Sequence, residues 1–218
     1  MENFTGFFFS SSSSLKNNFF CRVFTKEKGC IFVSFKKTKK KHSRSFFYSP
    51  MALCSFLAKK KGGVFFLNSA TLLSNPSLSS SIEKAPMLIV LGEVLFRVLE
   101  PGYKNHLVFS FIKSSLCFFS KKKASAFFLF FLIGLFRSLG YSIKENISSS
   151  SSFLSFSEKQ KNLFFYVLKT PFNKQNNIFL KKEDRKLFVG LMFDCYISCF
   201  DNFKIPRGYR VLEEIYEE

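Results

Sequence analysis

The stretch from residue 30 to 59 constrains the fold most, because a lysine cluster stands between two strand-like segments. The first segment runs from Cys30 to Phe35 and the second from Met51 to Ala58. The basic side chains between them are Lys36, Lys37, Lys39, Lys40, Lys41, His42 and Arg44. Apolar segments that flank like charges predict a β-hairpin whose tip reaches toward a polyanion.

The basic charge is concentrated at the front of the chain. The net charge of the 218 residues is +18. Residues 1–80 contain 13 Lys or Arg but only Glu2 and Glu27, whereas the remaining residues contain 20 basic and 13 acidic side chains. A field of this sign raises the local concentration of polyanions such as nucleic acids. Charge alone leaves open a surface on which lysines serve solubility.

Three further strand-like segments lie at residues 4–10, 18–25 and 64–73. The serine run at 10–14 is predicted to be a loop, and residues 26–29 and 61–63 are predicted to be turns with glycine at positive φ. Five short strands joined in this way match a small closed barrel of the OB type. The periodicity by itself leaves a sandwich or an SH3-like barrel open.

From residue 79 the spacing of apolar residues becomes helical. Helices are predicted from Ser81 or Pro86 to Leu99, and over residues 105–119, 124–139, 183–200 and 210–216. The fourth of these is predicted to turn Leu187, Leu191, Met192, Cys195 and Cys199 toward a core. Residues 141–158 are predicted to form an exposed serine-rich connection, and the type of segment 162–168 is left open. The fold class is therefore α+β, with an OB-type barrel at 1–78 and a mainly α-helical domain at 79–218.

Little in the sequence favours an enzyme or a metal site. The chain has no G-x-x-x-x-G-K-[ST], G-x-S-x-G or H-E-x-x-H motif. Its histidines are His42 and His106, its aspartates all follow residue 183, and no C-x-x-C occurs. Cys195 and Cys199 are interpreted as small buried hydrophobes, and the overall cysteine pattern is typical of a reducing cytoplasm. We expect no catalytic residue, cofactor or bound metal.

A small basic membrane-associated protein is the other alternative, because residues 124–136 are almost uniformly apolar. Thirteen helical residues cover about 20 Å, which is short of the roughly 30 Å hydrocarbon core of a bilayer. A buried central helix is the better interpretation. The chain begins MENF without a basic n-region, so we expect no signal peptide.

The predicted nucleic-acid contacts are mainly lysines, which neutralise phosphates and release counterions. They are Lys36, Lys37, Lys39, Lys40, Lys41, Arg44, Lys59 and Lys60. Lys59 and Lys60, together with Lys61, lie at the far end of the next strand, so they need not share a face with the basic residues at 36–44. Phe32 and Phe35 are an odd number of residues apart and so lie on opposite faces of their strand. One of them at most can stack on bases, and the other belongs to the barrel interior.

Taken in order, five stretches of the chain resemble the bacterial recombination mediator family RecO. They are FTKEKGCIFVSFKKTKKKHSR, FFYSPMALCSFLAKKKGGVFFLNSATLL, MLIVLGEVLFRVLEPGYKNHLVFSFIKSSL, FFLFFLIGLFRSLGYSI and EDRKLFVGLMFDCYISCFDNFKIPRGYRVLEEI. Glu93, the Leu139-Gly140-Tyr141 triplet and Arg185 match recurring features of the family. Many members carry a cysteine-rich zinc module after that triplet, whereas residues 142–157 here contain no cysteine. We therefore expect folding without zinc.

The resemblance implies a cytoplasmic, nucleoid-associated protein of DNA repair that binds single- and double-stranded DNA. Such a mediator anneals complementary strands and helps load recombinase on coated single strands. The implied partners are RecR and the acidic tail of single-stranded-DNA-binding protein, with no membrane. That tail ends in aspartates and an apolar residue, so it requires a basic rim around an apolar cleft. Our candidates for the rim are Arg137, Arg185, Lys186 and Arg207. An OB-fold protein that binds nucleic acid without annealing it remains an alternative.

Overall fold

The computed structural model describes residues 1–15, 18–36, 49–76, 85–121, 126–148 and 150–215, and shows an α+β fold. The strands are β1 (Glu2–Leu15), β2 (Asn18–Thr25), β3 (Gly29–Lys36), β4 (Leu53–Lys61) and β5 (Val64–Ser74). The α-helices are α1 (Ala85–Val98), α2 (His106–Lys121), α3 (Phe127–Ser138), α4 (Ile143–Ser148), α5 (Ser151–Leu154), α6 (Glu158–Lys169), α7 (Lys182–Cys199) and α8 (Gly208–Ile215). A 3-10 helix spans Phe172–Asn177.

The five predicted strands are confirmed, and they close into a barrel in the order β1-β2-β3-β5-β4. The predicted β-hairpin of β3 and β4 is wrong, because β5 lies between these two strands. Neighbouring strands are antiparallel except β3 and β5, which run parallel where Val33 pairs with Phe65. Alternation along the strands turns apolar side chains inward. Phe4 lies 5.6 Å from Phe56 and 5.3 Å from Phe65 between ring centroids, so aromatic contacts fill the barrel. Both predicted glycine turns are present, at Gly29 and at Gly62 and Gly63, all with positive φ.

The prediction of a loop at residues 10–14 is wrong. β1 continues through the serine run, and Ser10, Ser11 and Ser12 pair with Arg22, Cys21 and Phe20 of β2. The ladder depends on backbone N–H and C=O groups, which serine supplies as well as any other residue. Low complexity in side chains therefore did not interrupt the strand.

The chain forms two compact units. The first comprises Met1–Phe109 together with the segment from Pro206 to the end of α8, and so extends beyond the predicted barrel domain of 1–78. In this unit α1 packs on β1, where a Cβ at Gly92 would lie 2.8 Å from the carbonyl oxygen of Phe9. α1 also packs on α8, and the Glu93 carboxylate accepts a hydrogen bond from the Arg207 backbone N–H at 3.0 Å.

The second unit, Ser110–Ile205, is built around α3. The first six residues of this helix, from Phe127 to Leu132, are all buried, which confirms the prediction of a buried central helix. α3 packs against α7, where the buried Tyr196 hydroxyl donates a hydrogen bond to the Leu132 carbonyl at 2.9 Å. In the described ranges, no helix is long and apolar enough to cross a bilayer.

Residues 141–158, predicted to be an exposed connection, instead contain α4 and α5. Ile143 and Ile147, one helical turn apart on α4, are both buried, and this apolar pair stabilises the helix on α7. Segment 162–168 belongs to α6, which begins with a capping box between Ser157 and Gln160. The expected core position of Leu187 on α7 is wrong, because its side chain is 41% exposed.

Candidate nucleic-acid interface

The predicted lysine cluster begins where β3 ends. Lys36 is the last residue of β3, while Lys37, Lys39, Lys40, Lys41 and Arg44 lie outside the described residues and stay predictions. β5 runs parallel to β3 and antiparallel to β4, so the end of β3 and the start of β4 lie at the same end of the barrel. Lys59, Lys60 and Lys61 end β4, and the register brings Lys59 level with Ser34, two residues before Lys36, because Lys59 pairs with Phe66 and Phe66 pairs with Ser34.

Two phenylalanines are exposed on the outer face of neighbouring strands. Phe32 on β3 is 39% exposed and Phe66 on β5 is 40% exposed. Phe66 pairs with Ser34, two residues beyond Phe32 and so on the same face of β3. Phe35 is 5% exposed and belongs to the barrel core, which confirms that Phe32 and Phe35 point in opposite directions. The outer face thus offers two aromatic surfaces to solvent.

One lysine of β4 lies beside the exposed rings. Lys59 is the cross-strand partner of Phe66, and both side chains are exposed. Lys60, also exposed, pairs instead with Phe65, a core ring that is 5% exposed, and its Nζ lies 5.8 Å from the centroid of that ring. An ammonium beside an exposed aromatic ring can contact a phosphate while a base stacks on the ring. We call Phe32, Phe66 and Lys59 the aromatic face.

Arg22 on β2 contacts Phe32 of the aromatic face. Its Cζ lies 5.5 Å from the centroid of Phe32 and 3.8 Å from the centroid of Phe96 on α1. Its Nη1 donates to the carbonyl oxygens of Phe96 at 2.5 Å and Leu99 at 3.3 Å. Carbonyls at the end of α1 have no partner within the helix, so a cation there is favourable. The guanidinium is therefore fixed, and it restricts the position of the Phe32 ring.

Phe66 and Arg22 were not found by sequence reasoning. β5 begins with VFFL, where consecutive apolar residues hide which of them faces outward. For Arg22 a signal exists, since it interrupts the apolar run NFFCRVF and a charge in such a strand must have a partner.

A cavity of about 810 Å³ opens on the second unit. Its walls are mainly apolar and aromatic, with three cations among the lining residues. The lining residues are Arg137, Lys144, Ile147, Ser148, Phe153, Asn162, Phe165, Tyr166, Leu168 and Lys169. This list contains no acidic residue, so the cavity combines apolar walls with positive charge.

Arg137, predicted from the sequence, is fixed in this cavity. Its Nη2 donates a hydrogen bond to the Leu168 carbonyl, near the end of α6, at 2.8 Å. Burial lowers the pKa of the guanidinium from its usual value, but it starts so high that the group stays charged. The other predicted partner-binding residues are elsewhere: Arg185 and Lys186 lie on α7 and do not line the cavity. Arg207 belongs to the first unit, so the structure does not group these four cations.

Of the two cysteines predicted to be buried, Cys195 is buried and Cys199 is only partly buried. Cys21, Cys30 and Cys54 are also buried, whereas Cys117 is exposed. Burial raises the pKa of the Cys30, Cys54 and Cys195 thiols to about 12 and also raises the pKa of Cys21. These thiols stay protonated at neutral pH. Among the residues that the structure describes, no group of three or more His, Cys, Asp or Glu could hold a metal ion.

Comparison with known proteins finds two relatives in sequence. No family model matches the chain. The chain is 23% identical to DNA repair protein RecO of Flavobacterium johnsoniae over 196 residues, which cover 82% of each chain. It is 26% identical to DNA repair protein RecO of Christiangramia forsetii over 198 residues, which cover 83% of each chain. The chain is thus similar in sequence to RecO proteins, at low identity. The similarity spans enough of the chain to include residues of both compact units.

Proposed function

We propose that this RecO-like chain is a DNA-repair protein that binds single-stranded DNA on its barrel, anneals complementary strands and helps load recombinase on coated strands. Two relatives named as DNA repair proteins support the assignment to repair. The strand order, in which β5 is inserted between β3 and β4, supports an OB-type barrel. The proposed setting is the bacterial cytoplasm, in association with the nucleoid.

The aromatic face is the observation on which the DNA-binding proposal depends. Phe32 and Phe66 each leave about two fifths of the side chain in water on adjacent strands, and Lys59 lies across from Phe66. Base stacking on an aromatic ring tolerates any sequence because every base has a π-face. Lysines hold the backbone through its phosphates, and the exposed Lys59 provides such a charge beside Phe66.

Annealing requires no catalytic side chain. Two strands repel each other through their phosphates, and this repulsion falls when lysines displace the condensed counterions. Bases that stack on Phe32 and Phe66 are separated from their own neighbours, so their pairing edges can meet a second strand. We therefore propose a protein that acts by binding and not by covalent chemistry. The same charges would bind double-stranded DNA more weakly, because its bases cannot reach the rings.

The DNA-binding proposal is tested by replacing both rings with alanine. Stacking contributes about 1–3 kcal/mol per base, so Phe32→Ala with Phe66→Ala should weaken binding of an oligo-dT at least tenfold. Leu73→Ala is the control, since Leu73 is a large apolar side chain of β5 that is 54% exposed and is not part of the aromatic face. Equal affinities of the double variant and the control would contradict the proposal.

Annealing is tested separately from binding. Complementary strands are coated with single-stranded-DNA-binding protein, and duplex formation is followed by fluorescence transfer between labels on the strands. The wild-type chain should accelerate duplex formation, and the double variant should not. Tight binding without acceleration would contradict annealing and leave an OB-type protein that only binds nucleic acid.

For the second unit we propose the acidic tail of single-stranded-DNA-binding protein as a partner, with RecR as a further partner of the chain. The tail carries aspartates and ends in an apolar residue. The cavity provides what such a tail requires, with apolar walls at Ile147 and Leu168 and the charges of Arg137, Lys144 and Lys169. Arg137 is already oriented by its bond to the Leu168 carbonyl, so little side-chain entropy is lost when it binds a carboxylate.

This partner proposal distinguishes two sets of cations. In a titration with a labelled tail peptide, Lys144→Ala with Lys169→Ala should weaken binding several-fold and reduce its salt dependence. Arg185→Ala with Lys186→Ala is the matched control, because it removes the same charge from α7 outside the cavity. Loss of peptide binding only in the α7 variant would move the proposed site from the cavity to α7.

A further inference from the structure

Phe179 is more exposed than any other large apolar side chain in the described part of the chain, at 89%. It lies in the segment between the 3-10 helix and α7 of the second unit. Neither the barrel nor the cavity uses it. Covering a ring of this size removes apolar surface from water, so a contact with another molecule at Phe179 is favourable.

The backbone fixes Phe179 in its outward position. Ile178 and Leu180 are each 6% exposed, so the side chains on both sides of Phe179 point into the core. The backbone is extended at Ile178 (φ −103°, ψ 118°) and at Lys181 (φ −59°, ψ 153°), and alternate side chains of an extended segment point in opposite directions. Phe179 therefore cannot turn inward unless Ile178 and Leu180 leave the core.

Exposed cations flank Phe179 in sequence. Lys174 on the 3-10 helix and Lys181, two residues after Phe179 and so on the same side of the extended segment, are exposed. From residue 174 to 186 the chain has five basic side chains and two acidic ones, Glu183 and Asp184. Asp184 is partly occupied, since its Oδ1 accepts a hydrogen bond from Gln160 at 3.5 Å. The segment from 174 to 186 therefore carries a net positive charge.

We propose that Phe179, Lys174 and Lys181 form a second contact for single-stranded nucleic acid, on the helical unit. A base stacks on the Phe179 ring while the lysines contact the phosphates that flank it. An aromatic anchor for a protein partner is typically ringed by further apolar side chains. Here the next outward residue of the extended segment is Lys181, and Lys174 precedes it, which favours a polyanion with flat apolar bases. This contact is separate from the aromatic face of the barrel, and its existence does not require that face to bind DNA.

The absence of tryptophan from the chain allows a direct test. Phe179→Trp places the sole indole of the full-length protein at this position, and its fluorescence is measured as oligo-dT is added. Stacking of a base on the indole should quench the emission. Ile197→Trp is the control, because Ile197 is 47% exposed on the same unit but lies between Asp194 and Asp201 in sequence. Its emission should change little.

The quenching is repeated with Phe32→Ala and Phe66→Ala in the same chain as Phe179→Trp. Quenching of the indole that persists in this chain supports a contact independent of the barrel, whether or not the barrel itself binds DNA. In a chain with both barrel rings replaced, Phe179→Ala should weaken the remaining oligo-dT binding about fivefold or more. Circular dichroism should show unchanged folding, since the side chain is outside the core. Absence of quenching, or quenching equal to that of the control, would overturn the inference, as would unchanged affinity of the Phe179→Ala chain.

Discussion

Gly29 joins the turn before β3 to the connection between α1 and α2, and its replacement by alanine offers a quantitative test. Gly29 has φ of +74°, and a Cβ there would overlap the carbonyl oxygen of Tyr103. The adjacent backbone forms two bonds across this junction, from the Cys30 N–H to the Tyr103 carbonyl and from the Gly102 N–H to the Cys30 carbonyl, both at 2.8 Å. Any movement that relieves the overlap lengthens these bonds.

The loss of unfolding free energy expected for Gly29→Ala has two parts. A side chain in the left-handed region costs about 1–2 kcal/mol. Each of the two backbone hydrogen bonds contributes about 1 kcal/mol. Gly29→Ala should therefore lower the free energy of unfolding of the first unit by about 3–4 kcal/mol. Gly62→Ala is the matched control, since Gly62 has φ of +55° but no heavy atom within 4 Å of its would-be Cβ, so only the first part applies.

Urea unfolding followed by circular dichroism measures the difference. With a slope of about 2 kcal/mol per molar urea, the Gly29→Ala midpoint should lie about 1 M below that of Gly62→Ala. Equal midpoints would show that the approach of Tyr103 to Gly29 does not stabilise the fold. Gly29 is also the first residue of β3, the strand that contains Phe32. We therefore expect the destabilised Gly29→Ala variant to bind DNA less well, in proportion to its unfolded fraction.

Two further predictions concern charge and pH. Replacing the lysines at 39–41 with alanine should weaken single-stranded DNA binding and flatten the slope of log affinity against log salt by roughly 0.7 for each lost phosphate contact; an unchanged slope would exclude this segment as the contact. Since burial raises the pKa of Cys30, Cys54 and Cys195 to about 12, the folded state keeps these thiols protonated. The free energy of unfolding should therefore be constant with respect to these thiols below about pH 9 and fall as pH rises toward 12, and Cys54→Ala should make that fall smaller.

The barrel was predictable because its information is local. Glycine turns such as Lys26–Gly29 stand between runs in which apolar residues alternate, and both signals survive in a chain with 34 phenylalanines. The serine run misled the prediction because strand pairing depends on the backbone and not on serine side chains. In the second unit, the Ile143 and Ile147 pair and the Ser157-x-x-Gln160 capping box were readable signals of α4 and α6 that the serine-rich composition concealed.

The candidate sites were less predictable because they depend on tertiary structure. The outward direction of Phe66 follows from the register of β5 against β3 and β4, which four consecutive apolar residues do not specify. Arg137 was identified, but its companions Lys144 and Lys169 come from different helices and meet only in the folded unit. Leu187 was placed in the core by helical spacing, yet the buried stripe of α7 runs through Phe188, Leu191 and Met192 instead.

The packing of α8 against α1 has a consequence for biosynthesis. The first unit includes residues from both sides of Ser110–Ile205, so its last helix leaves the ribosome only after the whole second unit has been made. Until then the Glu93 carboxylate lacks the Arg207 N–H, and the surface of α1 that α8 covers is open to water. A nascent chain stalled before Pro206 should therefore present a chaperone with an incomplete barrel unit.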